Sequence, residues 1–450
     1  MLRQGDTIAA QATPPGNGAI AIVRLSGPRA GEILSRVFRP RSGALVPRML
    51  HFGRVVDGET ALDEAMAVLL PGPASYTRED VAELHVHGSQ ALVQRILGLL
   101  LREGARPAQP GEFTYRAFVG GRIDLSQAEG VMRMVRADSE RAMRGALRQM
   151  SGGVSDFVRA ARAEITEMLA DVAAAIDFPD EVEEEETAQS LSDRCLALAQ
   201  RLRAAVRPEC GRLEDEGLRV ALCGRPNAGK SSLLNALLGE DRAIVTAVPG
   251  TTRDVLSEKT QIEGLSVVLS DTAGLRETDD PVERIGVARA EQTLAQADLR
   301  LLVLDASRPL EAEDVALARR VDPQLIVLSK EDLPPRLTRE AVAEALGEAP
   351  TITVSAHTGE GMDGLRRAIL GFAPEIDTGS AGITQQRHAG AALAACEALE
   401  AAQTAIDRGL GTETAALDLS CALEALGEIT GETLREDVID RIFEKFCVGK

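Results

Sequence analysis

The chain is poor in aromatic residues, and this scarcity limits what it can bind. Its 450 residues include no Trp and two Tyr, and aromatic side chains make up 2% of the total. Single-stranded nucleic acid binders use aromatic faces as stacking platforms, so a dedicated binder of that kind is disfavoured. Positive charge is also scarce, because 69 acidic residues outnumber 50 basic ones and give a net charge of −19. RNA is therefore repelled overall, and any contact with it needs a local basic patch or a partner protein.

Paired cysteines and long apolar runs are absent as well. The six cysteines show neither a CxxC pair nor zinc-ligand spacing, which indicates reduced thiols. No run of about 18 or more apolar residues occurs, and the first residues lack the apolar region of a secretory signal. We expect a soluble, cytoplasmic protein with no membrane span. The length exceeds one ordinary core, so two or three domains are expected.

The hydrophobic pattern divides the chain into three regions. Residues 1–118 alternate short β-rich runs with an apolar helix at 90–102, which predicts an N-terminal α+β domain. Residues 119–216 and 376–450 have a helical period and predict one discontinuous all-α domain. Residues 217–375 alternate strands with helices, the pattern of a doubly wound parallel sheet. The predicted fold class is α/β multidomain, with the helical domain interrupted by a nucleotide-binding domain.

A phosphate-binding loop stands at the start of the inserted domain. Residues 224–231 read Gly-Arg-Pro-Asn-Ala-Gly-Lys-Ser and follow a predicted buried strand at 218–223. Two glycines at this spacing let backbone N–H groups turn toward phosphate oxygens. Lys230 supplies a point charge, and Ser231 supplies a hydroxyl ligand for Mg²⁺. The loop predicts a nucleoside triphosphate but does not identify its base.

Two segments beyond the loop predict a metal-bound γ-phosphate. Asp271-Thr-Ala-Gly274 follows a predicted strand, as required of an aspartate that holds Mg²⁺ through water and of a glycine amide facing the γ-phosphate. Gly250-Thr-Thr-Arg-Asp254 lies between the loop and that strand, where a threonine hydroxyl can close over Mg²⁺.

Two more segments select the base. Asp332, in Ser329-Lys-Glu-Asp332, can accept hydrogen bonds from N1 and N2 of guanine, and adenine lacks that pair of donors. Ser355-Ala356 can present a backbone N–H to the guanine oxygen. GTPases of this class usually have Asn where Ser329 stands, so we expect weaker guanine affinity with selectivity retained through Asp332. Five motifs in this order after predicted strands predict a GTPase.

The means of hydrolysis is a separate question, because Leu275 follows Asp271-Thr-Ala-Gly274 and an apolar side chain cannot orient water. A glutamine serves there in Ras-like enzymes, and an arginine finger adds about 10³- to 10⁵-fold. Glu283 can hold the attacking water, or it is a solvated loop carboxylate. Asn227 can help bind a monovalent cation that neutralises phosphate charge, or it only shapes the loop.

A basic stripe in the helical region has two interpretations. Its five arginines fall within less than half of a helix circumference, and a solvated or salt-bridged face competes with a phosphate or partner contact. The residues are Arg133, Arg136, Arg141, Arg144 and Arg148.

These motifs resemble the MnmE family, also called TrmE, over the whole chain. The GTPase motifs are shared with related families, whereas those near both ends are more specific: Ala12-Thr-Pro-Pro-Gly16, Gly111-Glu-Phe-Thr114 and Cys447-Val-Gly-Lys450. The resemblance implies a K⁺-stimulated GTPase that forms a homodimer. It also implies a heterotetramer with the flavoprotein MnmG, which carries FAD and uses NADH. Together they would add a carboxymethylaminomethyl or aminomethyl group to C5 of the wobble uridine of certain tRNAs.

The resemblance also implies roles for individual residues. K⁺ would be held by Asn227, Thr246, Val248 and Thr251, and Mg²⁺ by Ser231 and Thr252. The catalytic residues would be Glu283, which positions water, Lys230 and Cys447. With the motifs, it places GTP contacts at Asn227, Ala228, Gly229, Lys230, Ser231, Ser232, Thr246, Ala247, Val248, Pro249, Gly250, Thr251, Thr252, Asp271, Thr272, Ala273, Gly274, Lys330, Asp332, Ser355 and Ala356.

A folate site is implied in the N-terminal region. The resemblance places 5-formyltetrahydrofolate or a related one-carbon folate on Arg24, Glu83, Arg122 and Lys450. A pterin offers adjacent N–H donors to a carboxylate, and its glutamate tail suits Arg or Lys. The family often has Lys where Arg122 stands. Cys447 would lie near this pocket and be needed for modification, while an inert thiol is the plain alternative.

Two other functions stay open. A ribosome-assembly GTPase similar to Era or Der would bind RNA directly, but the acidic chain and the lack of a KH-like Gly-x-x-Gly module weigh against it. A free-standing folate-dependent methyltransferase with an accessory G domain would transfer one-carbon units after Lys230 is disabled.

Overall fold

The chain divides into two compact units. The first contains Met1–Met132, Arg148–Ala204 and Gly390–Lys450, and the second contains Arg133–Leu147 and Ala205–Ala389. The three predicted domain boundaries, after residues 118, 216 and 375, stay predictions. The computed structural model describes residues 5–177, 184–239, 257–271, 290–374, 382–410 and 412–449.

The strands are β1 (Ile8–Gln11), β2 (Gly18–Ser26), β3 (Phe38–Pro40), β4 (His51–Asp57), β5 (Thr60–Leu70), β6 (Val81–Gly88), β7 (Arg106–Pro107), β8 (Leu218–Cys223), β9 (Ser257–Ile262), β10 (Leu265–Asp271), β11 (Leu299–Asp305), β12 (Leu325–Ser329) and β13 (Thr351–Thr353). The helices named in this description are α1 (Ala30–Val37), α2 (Gln90–Arg102), α3 (Glu112–Val119), α4 (Leu125–Arg136), α5 (Glu140–Met150), α6 (Gly153–Asp177), α7 (Glu184–Ala205), α8 (Pro208–Glu216), α9 (Lys230–Gly239), α10 (Ala312–Val321), α11 (Arg339–Leu346), α12 (Met362–Gly371), α13 (Gln386–Asp407), α14 (Thr412–Thr430) and α15 (Glu436–Phe443).

A seven-stranded sheet forms the N-terminal part of the first unit, in the order β3-β4-β5-β6-β2-β1-β7. Its strand pairs are antiparallel except β1 and β7, which run parallel. The predicted helix at 90–102 is confirmed as α2. Its buried residues Val93, Ile96 and Leu100 recur at helical spacing and share one core with Leu84 of β6. The N-terminal region is therefore an α+β domain, as predicted.

A buried charge network lies beside this sheet. The Glu112 side chain is fully buried and accepts hydrogen bonds from Arg106 at 2.5 Å and from Arg116 at 2.9 Å. Arg116 also pairs with Asp6 at 2.6 Å and with Glu79 at 3.0 Å. Burial by itself raises the pKa of Glu112, but the hydrogen bonds from Arg106, the Gln109 backbone and Arg116 lower it below its ordinary value.

Long helices make up the rest of the first unit. Helix α6 packs along α14, and its buried residues include Ile165 and Met168. The Cys195 thiol of α7 lies 3.9 Å from the sulfur of Met168, and burial raises its pKa to about 11. Cys396 of α13 donates to the Ala199 carbonyl in the same interior. The predicted all-α region is confirmed. None of the helices that the structure describes combines the length and apolar character needed to cross a membrane.

The second unit contains a six-stranded sheet in the order β13-β12-β11-β8-β10-β9. Five strands are parallel, which confirms the predicted doubly wound sheet, and the edge strand β9 runs antiparallel to β10. The central strands β8 and β12 are almost entirely buried. In a sheet of this kind, ligands bind where the carboxyl ends of the strands meet.

The segment 133–147 belongs to the same unit as this sheet. Arg133 pairs with Glu214 and Asp215 of α8, each at 2.8 Å. Two more arginines of the basic stripe form hydrogen bonds or ion pairs within the unit. Arg141 donates to the Pro374 carbonyl at 2.8 Å, and Arg144 pairs with Glu140 at 2.5 Å. The structure therefore favours a salt-bridged face for Arg133 and Arg144, and Arg141 is hydrogen-bonded within the same unit.

Candidate nucleotide-binding site

The loop between β8 and α9 has the backbone that a phosphate cradle needs. Gly224, Asn227 and Gly229 all have positive φ, at 156°, 64° and 95°. A Cβ added at Gly224 would lie 2.5 Å from the Val303 carbonyl oxygen, so the loop can pass β11 only with glycine there. These turns are required before consecutive N–H groups can face one anion.

Lys230 and Ser231 begin α9. Lys230 is 9% exposed, and its Nζ donates to the carbonyls of Gly224 at 2.9 Å and Arg225 at 3.0 Å. The ammonium therefore lies within the loop, where it can pair with phosphate oxygens. The free N–H groups at the start of the helix add a partial positive charge at the same place. Together these groups can bind the phosphates of a nucleotide.

The segment Ser329-Lys-Glu-Asp332, here called the guanine motif, is linked to this loop by two side chains. Ser329 Oγ lies 2.6 Å from the Ala228 carbonyl oxygen, to which it donates. Lys330 has a φ of 64°, and its Nζ donates to the Asn227 carbonyl at 2.8 Å and to Asp305 Oδ2 at 2.6 Å. Ser329 thus keeps a bond to the phosphate loop. The lower guanine affinity expected from its replacement of Asn stays a prediction.

Asp305 is a member of this cluster that the motifs do not include. Burial by itself raises the pKa of Asp305, but hydrogen bonds from Lys330 and Ser307 lower it below its ordinary value. The carboxylate is therefore charged at neutral pH and holds the Lys330 ammonium. Its place at the end of β11, among the other functional strand ends, is the sequence signal that marks it.

Asp332 is arranged to accept hydrogen bonds from a base. Its Oδ1 accepts a 2.7 Å hydrogen bond from Ser355 Oγ, which in turn accepts from the N–H of His357 at 3.3 Å. The Ser355 hydroxyl lowers the pKa of this exposed carboxyl. Because Asp332 stays ionised, its oxygens can accept from the two adjacent N–H donors of guanine.

The residues present fit a magnesium ion. Strands β8 and β10 pair so that Asp271 lies beside Leu222, close to where the phosphate loop begins. Asp271 Oδ1 is buried and has no hydrogen-bond partner among the described residues. A buried carboxylate oxygen without a partner is costly, and a hydrated cation is a suitable one. Ser231, an oxygen ligand of the kind Mg²⁺ prefers, stands at the first turn of α9.

Several residues that the motifs or the family resemblance single out lie outside the described residues. They are Thr246, Ala247, Val248, Pro249, Gly250, Thr251, Thr252, Thr272, Ala273, Gly274, Leu275, Glu283 and Lys450. The described contacts Asn227, Ala228, Gly229, Lys230, Ser231, Ser232, Asp271, Lys330, Asp332, Ser355 and Ala356 lie in or directly after β8, β10, β12 and β13 or at the start of α9.

A second cluster lies in the first unit around Tyr76. Arg24 Nε donates to Glu83 Oε1 at 2.8 Å, across the β2–β6 pairing that sets these residues opposite each other. The Arg24 guanidinium lies 5.8 Å from the Tyr76 ring centroid, and that of Arg122 lies 4.7 Å from it. Arg122 also donates to the Tyr76 carbonyl at 3.1 Å. The structure thus brings together three of the four predicted folate residues.

The segment around Cys447 lies against the same sheet. The Gly111 N–H donates to the Cys447 carbonyl at 3.2 Å, and Val448 forms an antiparallel bridge with Pro110. A Cβ added at Gly449 would lie 2.1 Å from the carbonyl oxygen of Gln11, a β1 residue. Cys447 is exposed. Its thiol is therefore accessible in a segment that is held in place by backbone contacts.

The phosphate loop, the unpartnered Asp271 and the guanine motif meet at the carboxyl ends of a parallel sheet, and this fold and site define a P-loop GTP-binding protein. Family models match most of the chain: residues 7–122 match the GTP-binding protein TrmE N-terminus, and residues 125–447 match the MnmE helical domain. The chain belongs to the MnmE family of tRNA modification GTPases.

Full-length relatives agree with the family models. The chain is 47% identical to the tRNA modification GTPase MnmE of Symbiobacterium thermophilum, with 99% of each chain covered. It is 44% identical to the tRNA modification GTPase MnmE of Bacillus subtilis, with 99% of this chain and 100% of that one covered. The solved G domain of the T. maritima FeoB iron transporter is 28% identical over 35% of this chain and 99% of its own, with a TM-score of 0.29.

Proposed function

We propose that this chain hydrolyses GTP to GDP and phosphate and that it takes part in tRNA modification. The observation that carries the proposal is the meeting of phosphate, metal and base groups at one sheet edge: Lys230, Asp271 and Asp332. The full-length relatives named as tRNA modification GTPases support it. The proposal places the protein in the cytoplasm.

The chemistry needs positioning and charge stabilisation more than covalent participation. Water attacks the γ-phosphoryl group while negative charge spreads over its oxygens. Lys230 and the N–H groups of the loop stabilise that charge. Mg²⁺, when bound by Ser231 and Thr252, supplies further positive charge at the β- and γ-phosphates. Asp271 orients this site through water, and Glu283 holds the attacking water in place of the missing glutamine.

Two variants test the hydrolysis itself. Lys230→Ala and Asp271→Ala, in the full chain, should each lower GTP turnover by about 10²-fold or more, because the first removes a positive charge at the phosphates and the second removes the carboxylate that orients Mg²⁺ there. The coupling to tRNA is tested by mass analysis of the wobble uridine in cells that lack this chain. Complementation with the wild type should restore the modification, and complementation with Asp271→Ala should not.

Equal restoration by both chains would separate hydrolysis from modification. Unchanged tRNA nucleosides together with co-sedimentation on ribosomes would instead favour the Era-like or Der-like alternative. One-carbon transfer that persists in Lys230→Ala would favour a free-standing methyltransferase.

Hydrolysis is proposed to depend on K⁺ bound by Asn227, Thr246, Val248 and Thr251. The Asn227 side chain is exposed and makes no hydrogen bond within the described residues, so its oxygen is available to a cation. In the proposal, K⁺ also promotes pairing of two G domains. GTP turnover should be faster in KCl than in NaCl at matched ionic strength, and Asn227→Ala should remove the difference. Equal wild-type rates in the two salts would eliminate the cation from the mechanism.

The Tyr76 cluster is proposed to bind a one-carbon folate through Arg24, Glu83, Arg122 and Lys450. Glu83 is 16% exposed and faces Arg24, so a pterin that donates to its carboxylate would also meet a guanidinium. Binding of 5-formyltetrahydrofolate should be detectable by calorimetry and should weaken about tenfold in Glu83→Gln, because a charged acceptor becomes neutral. Binding at wild-type strength in that variant would remove Glu83 from the site.

Cys447 is proposed to act in the modification reaction, because its exposed thiol lies on a segment that contacts β1. Cys447→Ser should abolish wobble-uridine modification while leaving GTP turnover intact. Cys421→Ser, which removes an exposed thiol from α14, is the matched control and should leave both unchanged. Normal wobble-uridine modification in Cys447→Ser would show that the Cys447 thiol takes no part in the reaction.

The chain is proposed to form a homodimer and a heterotetramer with MnmG, which would supply FAD and NADH and most of the tRNA contact. The outer face of the first sheet exposes Ile20, Phe52 and Met66, which gives a second copy an apolar surface to cover. Light scattering should report a dimer. Phe52→Glu should shift it toward monomer, and a monomeric wild type would exclude this interface.

A further inference from the structure

The hairpin formed by β9 and β10 is held by residues from the helical segment 133–147. Lys259 Nζ lies 3.0 Å from Asp138 Oδ2, and Gln261 Nε2 donates to the Asp138 backbone carbonyl. The Arg141 N–H donates to the Gly264 carbonyl at 3.2 Å. Three contacts thus join one strand and one turn of the hairpin to a four-residue stretch at the start of α5.

The turn of the hairpin lies directly against this helix start. Glu263 and Gly264 both have positive φ, at 47° and 78°, as in the two-residue turns that suit a twisted hairpin. A Cβ added at Gly264 would lie 3.4 Å from both Cβ and Oε2 of Glu140. The turn therefore lies close to α5 and is hydrogen-bonded to it.

The helix start is itself fixed independently of the hairpin. Arg133, whose side chain is 9% exposed, pairs with Glu214, which is 1% exposed. Arg141 donates to the Pro374 carbonyl. A buried ion pair and a contact to the end of the sheet domain therefore anchor the segment on either side of Asp138. The segment can act as a fixed support for the hairpin.

The supported hairpin ends at the nucleotide site. Strand β10 pairs with β9 from Leu265 to Ser270 and with β8 from Val267 to Asp271. The strand therefore runs without a break from the hairpin turn to Asp271. That last residue is Asp271, whose buried Oδ1 has no described partner. A displacement of the hairpin would move this oxygen relative to the phosphate loop.

We propose that Asp138 and Arg141 are positioning residues of the nucleotide site, which act through the β9–β10 hairpin to hold Asp271 where bound Mg²⁺ requires it. The inference rests on the proposed function, because it takes the site to bind guanine nucleotide with Mg²⁺. Its physical basis is that apparent affinity falls with the fraction of molecules in the competent conformation. Residues remote in sequence from every nucleotide motif thereby contribute to the metal site.

The test compares a double variant, which carries both Lys259→Ala and Gln261→Ala, with the control variant Glu258→Ala in the full chain. Glu258 is exposed on the same strand, and its side chain makes no hydrogen bond or ion pair among the described residues, so it is a matched control. Each protein is titrated with Mg²⁺ in the presence of fluorescent GDP, and GDP affinity is also measured in EDTA. Amide hydrogen exchange of residues 265–271 is measured without nucleotide.

The double variant should need about fivefold more Mg²⁺ for half of the effect on GDP binding, because one ion pair and one hydrogen bond are lost. Its GDP affinity in EDTA should equal that of the wild type, and exchange in residues 265–271 should be faster. The charge-swap variant, Asp138→Lys combined with Lys259→Asp, should need less Mg²⁺ for half of the effect than Lys259→Ala/Gln261→Ala does, because it can form the ion pair again. The control should match the wild type throughout.

An unchanged Mg²⁺ requirement or unchanged exchange in the double variant would overturn the inference. An equal loss of GDP affinity in EDTA would also overturn it, since that would indicate general damage to the unit. A wild type that binds no guanine nucleotide would instead refute the proposed function, and the exchange measurement would still report on the support of the hairpin.

Discussion

The hydroxyl of Ser329 donates a 2.6 Å hydrogen bond to the carbonyl oxygen of Ala228. Both residues are buried, and the bond joins the end of β12 to the phosphate loop. A Cβ added at Gly229 would lie only 3.1 Å from Ser329 Oγ, so the two segments are in close contact. The short Ser329 hydroxyl therefore joins β12 to the phosphate loop from a position where related GTPases usually have Asn. The residues expected to bind the base and those expected to bind the phosphates are thus directly hydrogen-bonded.

Ser329→Ala should weaken GDP binding about fivefold, because the buried Ala228 carbonyl loses this partner and the loop loses one of its two side-chain links to the end of β12. Fluorescent GDP titration measures the effect. Thr338→Ala is a suitable control, since it removes a hydroxyl that accepts a hydrogen bond at the start of α11 in the same unit. Equal losses in the two variants would show a general effect of destabilisation.

Asp332→Asn should exchange guanine preference for xanthine preference. The amide would set a donor against the N–H groups of guanine, whereas xanthine has a carbonyl at that position. GDP affinity should fall by about two orders of magnitude, and xanthosine diphosphate should compete more strongly than GDP. Ser355→Ala removes the 2.7 Å hydrogen bond to Asp332 and the hydroxyl that accepts from the N–H groups of His357 and Thr358, but it leaves the carboxylate, so it should weaken GDP binding without changing preference. Retained GDP preference in Asp332→Asn would place base selection elsewhere.

Glu112→Gln should destabilise the first unit by about 3 kcal/mol, because Arg106 and Arg116 would lose a buried charged partner. Tyrosine fluorescence in a urea titration measures this unit alone, since the chain has no Trp and its two tyrosines, Tyr76 and Tyr115, both lie in it. Glu32→Gln removes two exposed ion pairs at α1, with Arg29 and Arg36, and should have little effect. Equal midpoints for Glu112→Gln and the wild type would show that the network is not stabilising.

The same network predicts the direction of acid sensitivity. The folded-state pKa values of Glu112 and Asp6 lie below their ordinary values, so the unfolded chain binds protons at a higher pH than the folded one. Their stabilisation is fully present above about pH 4.5 and is lost as pH falls through the folded-state values. Urea midpoints at decreasing pH should fall less steeply in Glu112→Gln than in the wild type. Parallel profiles would assign acid sensitivity to other groups.

Thiol chemistry should separate the cysteines into two classes. Cys421 and Cys447 are exposed, and the other four are buried. Burial raises the pKa of Cys195 to about 11, so its reactive thiolate is scarce at neutral pH. Titration of the native protein with a thiol reagent should show two fast equivalents, and Cys447→Ser or Cys421→Ser should each leave one. More than two fast equivalents would contradict this burial pattern.

The nucleotide site was predictable because its information is local. Four of the five motifs follow β-rich runs, and a parallel sheet brings such strand ends together. Strand β9 was not predicted, since Ser-Glu-Lys-Thr-Gln-Ile is polar and mostly exposed, and it forms a strand by pairing with β10. Strand β4 was not predicted for a similar reason, because five of its seven residues are exposed or only partly buried.

The Arg24–Glu83 pair illustrates what sequence spacing cannot supply. These residues are 59 positions apart and meet because β2 and β6 pair in one register, which is set by the whole sheet. The resemblance to a family named them, whereas their residue types alone did not. The association of residues 133–147 with the second unit has the same origin, since it depends on the buried Arg133–Glu214 contact between distant helices.

Lys330 donates to the backbone carbonyl of Asn227, the residue whose side chain is proposed to hold K⁺. The Lys330 ammonium therefore connects Asn227, which is proposed to bind K⁺, with the guanine motif to which Lys330 belongs. Binding linkage is reciprocal, so whatever factor K⁺ contributes to GDP affinity, GDP contributes to K⁺ affinity. Through this lysine, the ionic composition of the surroundings would change how tightly the spent nucleotide is held.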